Sequence, residues 1–216
     1  MTKVRLTREQ SRDQTRQHLL DAAQSIFLAK GFVAASVEDI AQAAGYTRGA
    51  FYSNFRSKTE LFLQLLKRDH EAVMADMHAI FDGELSRAQM EERVLQYYST
   101  LYRDNECFLL WVEAKLQAAR DPRFRSAFVA FMRETRQAIT EYIRHFSERV
   151  GTPLGLPAEQ LTLGLLALCE GMQFNYVFDP HAISAQTTEA VLEGFFRRVV
   201  FGADAPPPVP PGGASR

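Results

Sequence analysis

The stretch 47–58, TRGAFYSNFRSK, places long polar side chains beside a row of small ones. On a helical wheel of about 100° per residue, Phe51 and Phe55 mark one side of a short helix. The side that points away from them carries small or short polar residues, namely Gly49, Ala50, Ser53 and Asn54. Arg48 and Tyr52 flank that side, where a guanidinium can reach a guanine edge or a phosphate and a phenol can donate to a phosphate. These residue types and their spacing indicate contact with a nucleic-acid groove.

A second short helix is expected just before this one. Its apolar positions fall at i, i+3, i+4 and i+7, namely Val37, Ile40, Ala41 and Ala44. Ser36 opens it with Asp39 three residues on, which is a capping-box pattern. Gly45 can end it in a left-handed cap, and Thr47 then supplies an oxygen to cap the next helix. Two short helices joined by a tight turn are a predicted helix-turn-helix.

Lys58 follows this unit, in the first turn of the next predicted helix. It lies between Ser57 and Glu60, which form another capping-box pattern. A cation is poorly placed there because the helix dipole is positive at its N-terminus. The position of Lys58 therefore suggests an anion outside the chain.

The longer stretch 30–62, KGFVAASVEDIAQAAGYTRGAFYSNFRSKTELF, resembles the DNA-binding domain of the TetR family of bacterial repressors. The likeness covers roughly residues 11–65 and rests on many positions at fixed spacing across three helices. It implies an all-helical homodimer whose N-terminal three-helix domains read a palindromic operator. It also implies a larger C-terminal domain that binds a small-molecule effector.

The same resemblance implies a set of DNA-contacting residues. Phosphate contacts would come from Ser36, Thr47, Tyr52 and Lys58, and Arg48, Gly49 and Ala50 would lie against bases. Ser53 and Asn54 complete the expected DNA-binding set. They depart from the family pattern, because many members have an aromatic or basic residue followed by His at these two positions.

Helical periodicity continues through the rest of the chain and predicts an all-α fold of about nine helices. Helices are expected over 11–30, from 36, over 57–81, 87–103, 106–120, 122–150 and 158–178, and from 184, besides the groove-facing helix. The expected domains are a basic flexible arm (1–10), the helix-turn-helix domain (11–56), a helical effector-binding and dimerisation domain (57–202) and a disordered Pro-rich tail (203–216).

Length and charge agree with a soluble, DNA-binding protein. The chain has 216 residues, 46% of them apolar, which is enough for a full core. Residues 1–60 hold nine Lys and Arg against six Asp and Glu, whereas residues 61–216 hold 16 against 20. A basic N-terminal part on an acidic body suggests that this part meets an anion, although chance clustering would explain so small an excess.

Cysteine usage and hydropathy suggest a cytoplasmic location. Cys107 and Cys169 lie far apart inside apolar helical runs, so free buried thiols are favoured over a disulfide or a metal site. No apolar run approaches the roughly 18 residues that a membrane span needs, and the first 20 residues do not form a signal peptide. No membrane partner, cofactor or metal is expected.

The C-terminal part is rich in aromatic and thioether side chains, which favours a largely apolar effector pocket with a few polar groups. For any one aromatic residue a place in the core is the more common outcome. Polar side chains inside apolar runs need partners, which an effector could supply. The candidate effector-binding residues are Trp111, Glu113, Gln117, Phe128, Met132, Met172, Gln173 and Tyr176.

The last two predicted helices each carry an apolar stripe and favour a four-helix dimer interface. Gly164 and Gly171 are seven residues apart, so both could lie where a partner helix approaches closely. The candidate interface residues are Leu161, Gly164, Leu165, Leu168, Val191, Phe195 and Arg198. An intramolecular core explains each of them equally well.

The sequence also bears on two other functional classes, an enzyme and a ligand-binding protein. An enzyme is disfavoured because the five His residues show no H-E-x-x-H pattern, and G-x-S-x-G, P-loop and dinucleotide motifs are absent from the sequence. His70 and His78 are two helical turns apart, too far to bind one metal together. A helical ligand-binding protein without sequence-specific DNA binding stays open, because the groove-facing side is only weakly polar.

Overall fold

The computed structural model describes residues 7–81, 85–104, 107–151 and 153–200. Within these ranges the chain forms helices and no strand, which confirms the all-α prediction. The helices are α1 (Arg8–Lys30), α2 (Val37–Ala43), α3 (Arg48–Asn54), α4 (Lys58–Phe81), α5 (Arg87–Asp104), α6 (Phe108–Arg120), α7 (Pro122–Val150), α8 (Ala158–Phe178) and α9 (Ala185–Phe195), which a π-helical turn (Phe196–Val200) extends.

Helix ends follow local signals in the sequence. Gly31 and Gly45 have φ of +80° and +76°, a backbone region that glycine enters without strain, and they stop α1 and α2. Ser184 caps α9 by accepting from the backbone N–H of Thr187 at 3.1 Å.

The N-terminal arm is shorter than expected. Thr7 and Gln10 form a capping box at the start of α1, so residues 8–10, expected in the arm, are helical. The remaining arm residues 1–6, the Asp82-Gly83 pair expected to end the fourth helix, and the Pro-rich tail 203–216 lie outside the described residues.

The described residues fall into two compact units. The first comprises residues up to His78 together with 107–133, and the second comprises residues from Ala79 to 104 together with those from Glu134 onward. The helix-turn-helix therefore shares a unit with most of α4, with α6 and with the start of α7. This division follows packing, and its boundaries differ from those of the functional domains expected from the sequence.

The core of the first unit is an aromatic cluster. The ring of Phe32 stacks on that of Phe62 with centroids 4.5 Å apart, and Phe27 meets Phe62 edge-on at 5.2 Å. Phe124 of α7 stacks on Phe62 at 5.9 Å. All four rings are buried. Since burial of one such side chain contributes roughly 1.5–3 kcal/mol, the cluster is a major part of what holds α1, α4 and α7 together.

The second unit packs α5, α8 and α9 with the later part of α7. Its buried apolar side chains include Met90, Val94, Ile143, Phe146, Leu161, Leu165, Leu192 and Phe196. Two buried hydroxyls, those of Thr140 in α7 and Thr162 in α8, share a hydrogen bond of 2.8 Å. Thr162 also donates to the carbonyl of Ala158, so these polar groups are satisfied inside the core.

Helix α8 is long and apolar enough to cross a membrane by length and composition, and 22% of its most apolar window is buried. This corrects the expectation that no apolar segment reaches such a length. The core helix of a water-soluble protein meets the same criterion.

Candidate functional site

The helix-turn-helix is fixed by caps at both of its helices. Ser36 Oγ accepts from the backbone N–H of Asp39 at 3.0 Å, and Asp39 Oδ2 accepts from the backbone N–H of Ser36 at 2.9 Å. Lys30 pairs with Asp39 at 2.8 Å and, together with Ser36, holds the pKa of that carboxyl well below its usual range. Thr47 Oγ1 accepts from the backbone N–H of Ala50 at 3.2 Å and caps α3. The caps predicted for α2 and α3 are present. At the start of α4, Ser57 Oγ accepts from the backbone N–H of Glu60, whereas the Glu60 carboxylate accepts from the backbone N–H of Arg56 and not from that of Ser57.

The buried face of α3 is the one predicted from the helical wheel. Phe51 and Phe55 are buried, whereas Arg48, Gly49 and Tyr52 are exposed on the other side. Ala50 is half-buried. An exposed helix with a small side chain at its centre permits the backbone to come close to a groove.

Arg48 has partners within the chain. Its guanidinium pairs with the carboxylate of Glu38 at 2.7 Å and lies 5.5 Å from the centre of the Tyr52 ring. Hydrogen bonding to Tyr52, and the charge of Glu38, raise the pKa of Arg48. The side chain predicted to read a base is thus held at the N-terminus of α3 by a carboxylate of α2.

The side chains of Ser53 and Asn54 bond to the backbone of their own helix. The hydroxyl of Ser53 donates to the carbonyl of Ala50 at 2.8 Å, and the Asn54 amide nitrogen donates to the same oxygen at 2.9 Å. Asn54 is half-buried, and its Oδ1 has no hydrogen-bond partner among the described residues. A contact from either side chain to a base would require these bonds to rearrange.

Arg16 of α1 contacts the C-terminal end of α3. This contact is not among those predicted from the sequence. Its guanidinium lies 4.3 Å from the centre of the Phe55 ring and donates to the carbonyl of Asn54 at 2.8 Å, close to the C-terminus of α3. A cation at a helix C-terminus is favourable for the helix dipole. The signal was present, because Arg16 lies three residues before Leu19 on the buried stripe of α1.

Lys58 bonds to the protein itself. Its ammonium donates to the carbonyls of Phe32, Val33 and Ala35 at 2.6, 3.3 and 2.5 Å, and lies 4.6 Å from the centre of the Phe32 ring. Burial lowers the pKa of Lys58, whereas the charge of Glu113 raises it. The partners of the Lys58 ammonium in this structure are thus carbonyl oxygens of the α1–α2 turn, residues 31–35, and its contact with an anion outside the chain stays a prediction.

Five of the candidate effector residues belong to the first unit. Glu113 is bonded to the α1–α2 turn, since its Oε2 accepts from the backbone N–H of Phe32 at 2.6 Å. The indole of Trp111 donates to Asp69 Oδ2 at 2.7 Å and stacks on Phe131 at 5.9 Å. The others are Phe128, which is buried, and Gln117 and Met132, which are half-buried.

The other three candidate effector residues, Met172, Gln173 and Tyr176, lie on α8 in the second unit. Gln173 is 8% exposed, and its Nε2 has no hydrogen-bond partner among the described residues. Tyr98 of α5 and Cys169 of α8 are half-buried residues. Desolvation raises the pKa of the Tyr98 phenol and raises the pKa of the Cys169 thiol to about 12. An amide donor left unpaired in the core is suited to a ligand oxygen.

A cavity of about 220 Å³ lies between α5 and α9 in the second unit. It is lined by Leu95, Gln96, Tyr98, Glu189, Leu192, Glu193 and Phe196. None of the candidate effector residues is in this lining.

The candidate interface residues are divided between the interior and the surface. Leu161 and Leu165 are 1% and 3% exposed, so they pack inside the protomer and are not available to a partner. Gly164, Val191 and Arg198 are exposed, and Leu168 and Phe195 are half-buried. The exposed apolar face of α8 consists instead of Leu163, Phe174, Val177 and Phe178, with Gly164 and Gly171 between them.

Two family models match the chain. Residues 19–65 match bacterial regulatory proteins of the tetR family, and residues 86–200 match the C-terminal part of BetI-type transcriptional repressors. The first match covers the helix-turn-helix, and the second covers more than half of the chain.

Individual relatives agree with these matches. The transcriptional regulator AcrR of Shigella flexneri is 24% identical over 188 residues, which cover 81% of this chain and 83% of that protein. The structure of NalD, the secondary repressor of the MexAB-OprM multidrug efflux pump in Pseudomonas aeruginosa, has a TM-score of 0.66 and 26% identity, covering 88% of this chain and 98% of NalD. A transcriptional regulator from Saccharomonospora viridis, solved in complex with choline, has a TM-score of 0.70 at 18% identity and covers 86% of this chain and 96% of its own.

The capped helix-turn-helix, the all-helical fold and the two family matches lead to one assignment. The chain belongs to the TetR family of transcriptional regulators, which bind DNA through an N-terminal helix-turn-helix.

Proposed function

We propose that this regulator is a cytoplasmic repressor that binds a palindromic operator as a homodimer and is released by a small, largely apolar ligand. The observation that carries the proposal is the exposed face of α3, where Arg48 and Tyr52 flank small residues on a helix held by caps and by a buried aromatic side. The match of residues 86–200 to BetI-type repressors supports repression over activation.

Few long polar side chains on α3 are free to read bases. Arg48 can exchange Glu38 for a guanine edge, and the backbone at Gly49 can approach the groove closely. The rest of the specificity would come from DNA shape and from the distance between two recognition helices, about 34–36 Å for half-sites one helical turn apart. A single short helix offers too little contact on its own, so a second copy is part of the proposal.

The proposed dimer face is the exposed side of α8. Leu163 and Phe178 are 59% and 61% exposed, and the two glycines between them, Gly164 and Gly171, would let a partner helix approach closely. Val191 of α9 adds an exposed apolar side chain. Two copies of this apolar face would cover each other around a two-fold axis.

Release by a ligand follows from linkage. Suppose that the ligand prefers a conformation in which the two recognition helices no longer match the operator. Operator affinity then falls by a factor equal to the ratio of the ligand's affinities for the two states. This factor typically corresponds to a coupling free energy of about 1–3 kcal/mol. Gln173, with its unpaired buried amide, is the polar group best suited to such a ligand in the second unit. Nothing in this scheme requires a catalytic group, a cofactor or a metal.

The test is salt-dependent binding to DNA that the protein itself selects. Full-length protein is used to enrich a randomised duplex library, and binding to the enriched duplex is measured by fluorescence anisotropy from 50 to 200 mM KCl. A regulator should select a two-fold symmetric site and lose affinity steeply with salt, because each phosphate contact releases counterions. Enrichment of no sequence, together with weak binding that does not change with salt, would favour the alternative of a helical ligand-binding protein without sequence-specific DNA binding.

A further inference from the structure

Side chains of opposite charge hold the α1–α2 turn, residues 31–35, from two sides. Lys58 at the start of α4 donates to the carbonyls of Phe32 and Ala35 at 2.6 and 2.5 Å. Glu113 of α6 accepts from the backbone N–H of Phe32 at 2.6 Å. Both the donor and the acceptor of one peptide segment are thus engaged by ionised side chains, which form stronger hydrogen bonds than neutral ones do.

Gly31 makes room for the Glu113 carboxylate. A Cβ built at this position would lie 2.7 Å from Glu113 Oε1, and its φ of +80° is strained for any other residue. The end of α1 therefore presents a bare backbone against which the carboxylate lies.

Helix α6 is itself held firmly within the first unit. Trp111, two residues before Glu113, donates to Asp69 of α4 at 2.7 Å. At the other end of α6, Arg125 of α7 donates to the carbonyls of Ala118 and Ala119 at 2.6 and 2.7 Å. Glu113 is thus presented to the turn from a helix that is fixed on both sides of it.

The position of the α1–α2 turn determines where α2 begins. Ala35 is buried and is followed directly by Ser36, the N-cap of α2. The α2 helix packs on α3, and Ile40 of α2 and Phe51 of α3 are both fully buried in the same core. A half-buried carboxylate that loses its donor is costly, so the turn follows α6 more readily than it separates from it.

We propose that Glu113 is a positioning residue for operator binding, through which α6 sets the place of the α1–α2 turn and so of the two DNA-binding helices. The proposal rests on the proposed function as a DNA-binding repressor. Glu113 does not touch DNA in it. Its effect on affinity passes through the backbone of Phe32.

The experiment compares full-length Glu113→Ala and Glu113→Gln with the parent protein. Glutamine keeps an oxygen that can accept from Phe32 N–H, whereas alanine removes the acceptor. Glu134→Ala, which removes an exposed carboxylate from α7, is the matched control. Hydrogen–deuterium exchange is followed by mass spectrometry in peptides covering 31–36 and, separately, α1 and α8. Affinity for the duplex selected by the parent protein is measured in parallel.

In Glu113→Ala we expect exchange at 31–36 to rise about tenfold with α1 and α8 unchanged, because the loss of one anchoring bond opens the turn locally. Operator affinity should fall about three- to tenfold, which matches the net contribution of one typical hydrogen bond. Glu113→Gln should restore both quantities to within about twofold of the parent, and Glu134→Ala should change neither.

Three outcomes would overturn the proposal: unchanged exchange at 31–36 in Glu113→Ala, a uniform rise across all helices, or faster exchange in the turn with full operator affinity. The second outcome would mean that Glu113 only stabilises the fold. If the parent protein selects no duplex at all, the proposed function fails by itself. The exchange data then still decide whether Glu113 controls the turn.

Discussion

At the scale of single residues, the ion pair between Arg48 and Glu38 lies on the surface that is proposed to meet DNA. The two groups are 2.7 Å apart and both are well exposed. Exposed ion pairs contribute only about 0–1 kcal/mol, so Arg48 can leave Glu38 for a phosphate or a base at little cost. Glu38 orients Arg48 in the free protein and adds a negative charge near the DNA.

Replacement of this carboxylate should therefore tighten DNA binding. Glu38→Gln is expected to raise affinity about two- to fivefold on selected and unrelated duplexes alike, because it removes a competitor for Arg48 and a repulsive charge. Fluorescence anisotropy at fixed salt measures the change. Glu71→Gln, which removes the same charge from an exposed site on α4, should have no comparable effect. An equal gain in both variants would mean that net charge alone is responsible.

Substitution of Lys58 can distinguish between two roles of this residue, a phosphate contact and a structural cap on the α1–α2 turn. If its ammonium stays bonded to the turn carbonyls in the complex, Lys58→Met will weaken binding to all duplexes alike by loosening the turn. The slope of log affinity against log salt should then be unchanged, because no counterion is released at this position. A slope that becomes shallower by about 0.9 would show instead that Lys58 leaves the turn to neutralise one phosphate.

The Cys169 thiol should be slow to react in the folded protein. Burial raises its pKa to about 12, so at pH 8 very little thiolate is present. With iodoacetamide at pH 8, peptide mapping should show alkylation of Cys169 at least about a hundredfold slower than that of a free cysteine, whose pKa is about 8.5. The rate in urea-unfolded protein is the control. Rapid labelling of Cys169 in the folded state would contradict the burial of this thiol.

At the scale of helices, the sequence predicts where helices begin and end better than it predicts what they face. Ser36 with Asp39, Thr47 and Gly45 act within one or two turns of chain, so their effect does not depend on the tertiary fold. The buried side of α3 could be predicted for the same reason, since Phe51 and Phe55 leave only one apolar face.

The sequence could not predict what the side chains of Lys58, Glu113 and Leu161 contact. The partners of Lys58 are 23 to 26 residues away along the chain, and the partner of Glu113 is 81 residues away. No local pattern contains that information. Helix α8 is apolar on nearly every side, so the pattern could not tell the stripe of Leu161 and Leu165, which is buried within the protomer, from the exposed stripe.

The two stripes of α8 should respond differently to substitution. Phe174→Glu on the exposed side is expected to give a folded monomer, because it places a charge in the proposed dimer face. Leu161→Ala on the buried side should leave the dimer intact but lower the free energy of unfolding by about 2–5 kcal/mol. Sedimentation equilibrium and urea unfolding separate the two effects. A Phe174→Glu variant that stays dimeric would place the interface elsewhere.

At the scale of the whole molecule, the packing does not respect a border between a DNA-binding part and a body. The ring of Phe32 lies against Phe62 of α4, and Phe62 lies against Phe124 of α7. Arg68 of α4 adds a surface link by pairing with Asp21 of α1 at 2.6 Å. The helix-turn-helix therefore completes its core with side chains that come from beyond residue 56.

This shared aromatic core restricts how the family's parts can be recombined. In a chimaera that joins residues 1–56 of this chain to the remainder of a relative, Phe32 would have to pack against α4, α6 and α7 of a different protein. We expect such a hybrid to melt at a lower temperature and to lose operator binding. Both properties should return when residues 57–78 and 107–133 are transplanted as well, which thermal denaturation and anisotropy would detect. DNA recognition would then depend on two separate segments of the chain, residues 1–78 and 107–133. A sensor built from this protein must carry both segments.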